Sequence, residues 1–280
     1  MPERNTVEAG RDKAFIMNSM LMYVKDITDV IEEFAPLAIQ EKWDNSGLII
    51  GSPSETVHGV LVGFDCTPEL VDEAIGCGAD MIVTHHPLIF GGIRKITPDD
   101  QVGRAIIKAI SGGVKIYAAH TTADKVLSGV SGTMARRLGL KDVKILDEEA
   151  GGVGLGVVGN LPEPIDAEGA VLYVKERFGL KAVRYSRPVS CPVTRIAMCG
   201  GSGSSLIDAA MASGAQLYIT GDISYHHFFT ADGFMLMDIG HFESEADIVD
   251  ILFSLITKKF PNFAVRKTSR LAESNPVRYA

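Results

Sequence analysis

Apolar and polar positions fall along the chain in blocks whose period switches between that of a buried strand and that of an amphipathic helix. The pattern begins at Met22–Val24. Val57–Phe64 is an apolar run ending in Asp65-Cys66-Thr67-Pro68. A helix follows, with Thr67 as its N-cap, Pro68 in its first turn and Leu70, Ala74 and Ile75 on one face. Met81–Thr84 reads as a short buried strand, Gln101–Ile110 as a helix ended by Gly112-Gly113, and Val114–Ala119 as the next strand. Gly152–Val158 reads as β and Ala167–Phe178 as an amphipathic helix. Arg195–Met198, Gln216–Thr220 and Phe234–Asp238 read as strands, Ser205–Ala212 as a helix, and Glu245–Lys258 as the last long helix. Strands alternating with helices of this length predict an α/β architecture with mostly parallel pairing.

The pattern repeats once. Residues 70–84 read LVDEAIGCGADMIVT and residues 206–220 read LIDAAMASGAQLYIT, identical at six of fifteen positions. After each segment comes a loop, a helix and a further strand. Each of those later strands ends in a histidine with an acid four places on, His120/Asp124 and His241/Glu245. The inference is two related α/β halves, 21–129 and 191–280, facing each other across a cleft. Residues 130–190 would connect them, and residues 1–20, which precede the pattern, read as a frayed extension with Met20 as an alternative start.

Composition narrows the class. The chain has 280 residues, 46% hydrophobic and 22% charged, enough for one large domain or two medium ones. No apolar run reaches the roughly 18 residues of a membrane helix, and the first twenty residues lack the apolar core of a secretory signal. The four cysteines, Cys66, Cys77, Cys191 and Cys199, form no C-x-x-C pair and read as reduced and buried, which suits the cytoplasm. A net charge of −8 without a basic run outside the C-terminal segment disfavours nucleic acid as a partner.

Six of the seven histidines, all but His58, lie just beyond a predicted strand. Ligand sites of parallel sheets form there. His85 and His86 are adjacent, so on an extended segment held by Pro87 they point to opposite sides and suit two metals, or one metal and one supporting role. Asp124 and Glu245 each carry two oxygens and can bridge a pair of cations about 3.5–4 Å apart. His241 and Glu245, four apart at a helix start, share one face. His85, His86, Asp124, His241 and Glu245 are therefore the candidate ligands of a dinuclear site. Mixed nitrogen and oxygen donors fit Zn, Mn, Fe or Co better than Ca or Mg. Such a pair brings a bound water's pKa to near 7, which is the chemistry of hydrolysis.

Other residues stay open at this level. His120 is a ligand or orients Asp124, and Asp65 caps a helix or supports the site. One of His226 and His227, which follow Gly221-Asp222-Ile223-Ser224-Tyr225, is a candidate general acid or base, or else a solvated helix start. Cys199-Gly200-Gly201-Ser202-Gly203-Ser204 is a phosphate cradle or a tight turn. Gly91-Gly92-Ile93-Arg94-Lys95 offers two cations to an anionic substrate or is a solvated loop. The single tryptophan, Trp43, lines the site or anchors the first helix.

At these residues the sequence resembles the NIF-three-like family, also known as GTP cyclohydrolase I type 2. The motifs are KWDNSGLIIG at 42–51, THHPLIF at 84–90, HTTAD at 120–124, TGDISYHH at 220–227 and DIGHFESE at 238–245, in the family's order over about residues 22–270. The resemblance implies a two-domain α/β fold with a dinuclear site in the cleft, with His85, His86, Asp124, His241 and Glu245 as ligands. It implies assembly into a toroidal hexamer and a nucleotide substrate such as GTP. Hydroxide held by the metals would open the purine imidazole ring at C8 and release formate, with His226, His227 or His120 moving the proton. Thr122-Ala123 stands where the family commonly has Asn-Leu, which bears on substrate contacts near Asp124. The domain that longer members insert between the halves is absent. Two-metal phosphoester hydrolysis and a metal-stabilised scaffold are the other readings of the same residues.

Overall fold

The computed structural model describes residues 21–280, so the extension expected over 1–20 lies outside the described residues. The chain enters through β1 (Met22–Tyr23) and α1 (Val24–Phe34), where Asp26 accepts the Tyr23 backbone N–H at 2.8 Å. Its apolar residues Val24, Ile27 and Ile31 are fully buried. Then come β2 (Gly47–Ile50), β3 (Thr56–Val57), β4 (Val60–Val62), α2 (Pro68–Cys77), β5 (Met81–Thr84), α3 (Gln101–Ser111), β6 (Lys115–Ala118) and the single turn α4 (Thr121–Lys125). Thr67 caps α2 as expected, its Oγ1 accepting the Leu70 N–H at 3.2 Å. The buried face of α2 is Leu70, Val71 and Ala74, however, and Ile75 is 47% exposed. The sheet lies on the Val71 side of the helix, so Ile75 turns outward.

The second half begins with α5 (Val130–Arg137), β7 (Lys141–Glu149), β8 (Val153–Ile165), α6 (Ala167–Phe178) and β9 (Arg184–Tyr185). It continues with β10 (Val193–Ser202), α7 (Ile207–Ala212), β11 (Leu217–Gly221), β12 (Met235–Asp238) and the short α8 (His241–Glu245). The stretch 130–190 is therefore more than a connector. Its strands complete a six-stranded sheet in the order β7-β8-β10-β11-β12-β9, and α6 packs Ala170, Val171 and Val174 into that sheet's core. Its charged, weakly alternating β7 hides this from a reading of periodicity.

The chain then returns to the first half. The last long helix, α9 (Ile248–Lys259), starts three residues later than the pattern suggests, because Glu245 belongs to α8 and the chain bends between them. Ile248, Val249, Leu252 and Ile256 pack into one core with Val24, Ile27 and Ile31. β13 (Val265–Lys267) pairs with β4, giving the order β13-β4-β5-β6-β2, and α10 (Leu271–Ser274) follows. Neither β13 nor α10 is visible in the sequence pattern.

The internal repeat is real in three dimensions. β4, β5 and β6 run parallel in one sheet, and β10, β11 and β12 run parallel in the other. Each trio carries candidate histidines at its carboxyl ends. All four cysteines are unpaired, but only Cys66 and Cys199 are buried; Cys77 is intermediate and Cys191 exposed. Among the described residues no helix is long and apolar enough to cross a membrane.

Candidate metal centre

The carboxyl ends of both sheets meet at one cluster. His85 and His86 follow β5, His120 follows β6, and His241 opens α8 after β12. His86 Nε2 and His241 Nε2, from different halves, stand 3.3 Å apart. Glu245 Oε2 is the common neighbour: His241 Nε2 lies at 3.0 Å, His86 Nε2 at 3.3 Å and His85 Nε2 at 3.6 Å. Asp124 Oδ1 completes the group at 3.7 Å from His85 Nε2. The one-turn spacing of His241 and Glu245 on α8 brings them together as the sequence implies.

His85 and His86 depart from expectation. They do not point to opposite sides. The strand ends at Thr84, and the backbone N–H groups of both histidines converge on the single carbonyl of Phe64, at 3.1 and 3.2 Å. That curl removes the alternation of an extended segment. The two rings lie 4.8 Å apart, tilted by 43°, and both turn Nε2 toward Glu245.

Each of the four imidazoles is fixed through Nδ1, at 2.7–2.9 Å. His85 pairs with the Ala119 carbonyl, His86 with Asp65, His120 with Asp44 and His241 with Asp222. An oxygen on Nδ1 selects the tautomer that leaves Nε2 with its lone pair inward, which is the support that metal-binding histidines carry. Asp65 thus serves the site, while Thr67 caps α2. The His120 carbonyl accepts the Asp124 backbone N–H at 3.3 Å, but its ring makes no bond to the Asp124 carboxylate and packs edge-on to His85 and His86, at 5.4 and 5.3 Å. Asp44 and Asp222 are the carboxylates at the candidate site that sequence reasoning missed. Their motifs are visible, but a carboxylate supporting a histidine 76 or 19 residues away leaves no spacing signal.

The donor set and electrostatics of the cluster suit a cation. Buried N and O atoms of side chains nearly always find partners. Five in the described residues have none, and three of them are His85 Nε2, Asp124 Oδ1 and Glu245 Oε2. Burial, joined by the nearby Glu245, raises the Asp124 carboxyl above its ordinary range against the pull of His85. Burial opposes ionisation of Glu245, yet His85, His241 and His86 together hold it well below the usual carboxylate range. Burial likewise opposes charge on His86 and His241, but Asp65 and Glu245 push His86 up to about 10, and Glu245 and Asp222 push His241 up to about 9. His85, His86 and Glu245 have donor atoms within 4.8 Å of one another and could hold a metal ion.

The other candidates lie apart. His226 and His227 are exposed on a short turn after β11, where His227 Nδ1 meets Ser224 Oγ at 3.0 Å. The loop Cys199–Ser204 is no phosphate cradle. The N–H groups of Gly200, Gly201 and Gly203 are taken by Ser131 Oγ, Ser244 Oγ and Thr220 Oγ1, at 2.9–3.2 Å. Trp43 is 61% exposed and does not anchor α1.

Comparison with known proteins shows the family and the fold. The family model described as Duf34/NIF3 (NGG1p interacting factor 3) matches residues 22–276. A Clostridium perfringens protein named "GTP cyclohydrolase 1 type 2 homolog" is 36% identical over 233 residues, covering 80% of this chain and 87% of the relative. The crystal structure of a Staphylococcus aureus hypothetical protein matches with a TM-score of 0.85 at 27% identity, covering 93% of this chain and all of that one. A Bacillus cereus protein related to NIF3 has a TM-score of 0.83 at 23% identity, covering 94% of this chain and 100% of that chain, a likeness of fold alone.

Proposed function

The chain belongs to the Duf34/NIF3 family, and on that premise we propose that it is a metal-dependent hydrolase acting on GTP or a related purine nucleotide. The observation that carries this reading is the set of three buried donor atoms without partners, His85 Nε2, Asp124 Oδ1 and Glu245 Oε2, beside histidines whose Nδ1 atoms are already committed. His85, His86 and His241 all turn Nε2 to Glu245 Oε2, and Asp124 Oδ1 lies beside His85 Nε2; these five residues would hold a pair of ions. Divalent ions of the Zn, Mn, Fe or Co class would supply a water acidic enough to attack at neutral pH.

The chain's own groups do the rest. Asp65, Asp222 and the Ala119 carbonyl hold the ligand rings in register, so little reorganisation is needed on binding. His120, fixed by Asp44, is placed beside the ligand rings to move a proton at Nε2. His226 and His227 are the candidates for protonating the departing nitrogen, from an exposed turn that begins three residues after Asp222, the partner of His241. The His241 side chain is 34% exposed and that of Asp65 35%, so the cluster opens to solvent on one side. A purely structural metal site is usually closed, which favours catalysis over a scaffold role. A hexameric assembly belongs to the same reading, supported by the family resemblance, and a cytoplasmic location is supported by four cysteines that form no disulfide.

Formate release from GTP by metal-reconstituted protein tests it, with Asp124→Ala as control. Formate from the wild type alone is the expected result. No formate from protein carrying its metals would remove the cyclohydrolase reading and turn attention to phosphoester hydrolysis.

A further inference from the structure

Two large aromatic side chains stand in water beside the metal centre. Trp43 is 61% exposed and Phe90 55% exposed. Exposure of this size costs hydration free energy that burial would recover. Both rings address the same histidine, nearly edge to face: Trp43 meets His120 at 5.8 Å and 73°, and Phe90 meets it at 5.5 Å and 86°. His120 in turn touches the rings of His85 and His86. The two aromatic loops are tied together, since the Asn45 side-chain amide donates to the Ile89 carbonyl at 2.8 Å. Asp44, between Trp43 and Asn45, holds His120. The loop after Phe90 carries Arg94 and Lys95, both exposed and, among the described residues, without an ion pair.

We propose that Trp43 and Phe90 form a stacking platform for a planar heteroaromatic ring, a nucleobase carrying an anionic tail, at the mouth of the metal centre. This deepens the hydrolase reading and rests on it for the choice of a nucleobase over other flat rings. Base–aromatic stacking is tolerant of base identity, because every base has a π-face. A ring laid on either side chain lies next to His120 and therefore next to the ligands, while Arg94 and Lys95 provide positive charge for the tail. Specificity for purine over a non-aromatic phosphate would come from these two side chains and not from the metal.

The test uses the fact that Trp43 is the only tryptophan. The full chain, metal-loaded, is titrated with guanosine, GTP and ribose 5-phosphate while tryptophan emission is read, excited beyond the absorption of the bases. Guanosine and GTP should quench saturably, and ribose 5-phosphate should not. Phe90→Ala should weaken guanosine binding by about tenfold or more, Phe90→Tyr should restore it, and Phe90→Leu, apolar but without a π-face, should not. Circular dichroism and metal content should be unchanged in all three, since Phe90 is a surface side chain. Absence of saturable quenching, or a Phe90→Leu variant that binds like wild type, overturns the platform. Emission that follows protein concentration and ignores nucleosides also overturns it, and makes the patch a contact between copies of this chain. Formate release with no quenching would leave the hydrolase reading standing and remove the platform. Quenching without formate would do the reverse.

Discussion

Gly201 and Glu245 are fitted to each other. A Cβ on Gly201 would overlap Glu245 Oε1 and come within 3.3 Å of His241 Cε1. Gly201 also sits at φ +61°, where an L side chain is strained. The glycine in the second half's first parallel strand therefore exists to admit the carboxylate around which the cluster is built. Gly201→Ala should displace Glu245, lower metal affinity by roughly 10–100-fold and cost about 1–3 kcal/mol of stability. Metal content after dialysis and urea unfolding check the two effects. Unchanged metal retention would show that Glu245 is not a ligand.

Asp222 holds His241 Nδ1 at 2.7 Å and itself lies at φ +55°. Asparagine tolerates that conformation, so Asp222→Asn keeps the turn while replacing a charged acceptor with a neutral amide. The expected outcome is a drop in metal affinity of roughly 10–100-fold, with a small loss of stability in metal-free protein at neutral pH because His241 loses a charged partner. A variant that binds metal like wild type would show that the pair does nothing for the ligand.

Metal binding should expel protons. With His86 pushed up to about 10 and His241 up to about 9, both rings are charged at neutral pH in metal-free protein, and a ligand must give up its proton. Calorimetry in buffers of different ionisation heat should show net proton release at pH 7, falling away as pH passes about 9 and then 10. The same shifts set the sign for stability. Because both folded values lie above the ordinary histidine value, their contribution to metal-free protein is fully present below about 6.5 and is lost as pH rises through 9 and 10. Binding at pH 7 without proton release would mean that the rings are already neutral.

Lys125, next to Asp124, is buried between Glu41 and Glu149, each at 2.6 Å. It joins a loop of the first half to β7 of the second. Lys125→Met leaves two acids facing each other, and because Glu149 is half exposed the loss should be moderate, about 1–3 kcal/mol. Urea unfolding with a matching Glu149→Gln variant measures it. Equal stability of wild type and Lys125→Met would mean that the triad is solvated in solution.

Much of this protein is written in its one-dimensional pattern. Met81–Thr84 and Ala167–Phe178 are found at the expected bounds, and the repeat of residues 70–84 at 206–220 correctly foretells two parallel strand trios. The five candidate ligands are legible because strand ends collect functional residues and because His241 and Glu245 are one turn apart. These are local facts, carried by period and spacing. What the sequence cannot carry is direction and distance between remote segments. The curl that turns His85 and His86 the same way depends on the Phe64 carbonyl, twenty-one residues before His85. The pairing of Asp44 with His120 and of Asp222 with His241 depends on loops brought together by the sheets. The return of α9 and β13 to the first half depends on a shared core, with Ile248, Leu252 and Ile256 buried against Val24 and Ile27. Periodicity fixes which face of an element is apolar, and only packing of those faces against one another decides which elements meet.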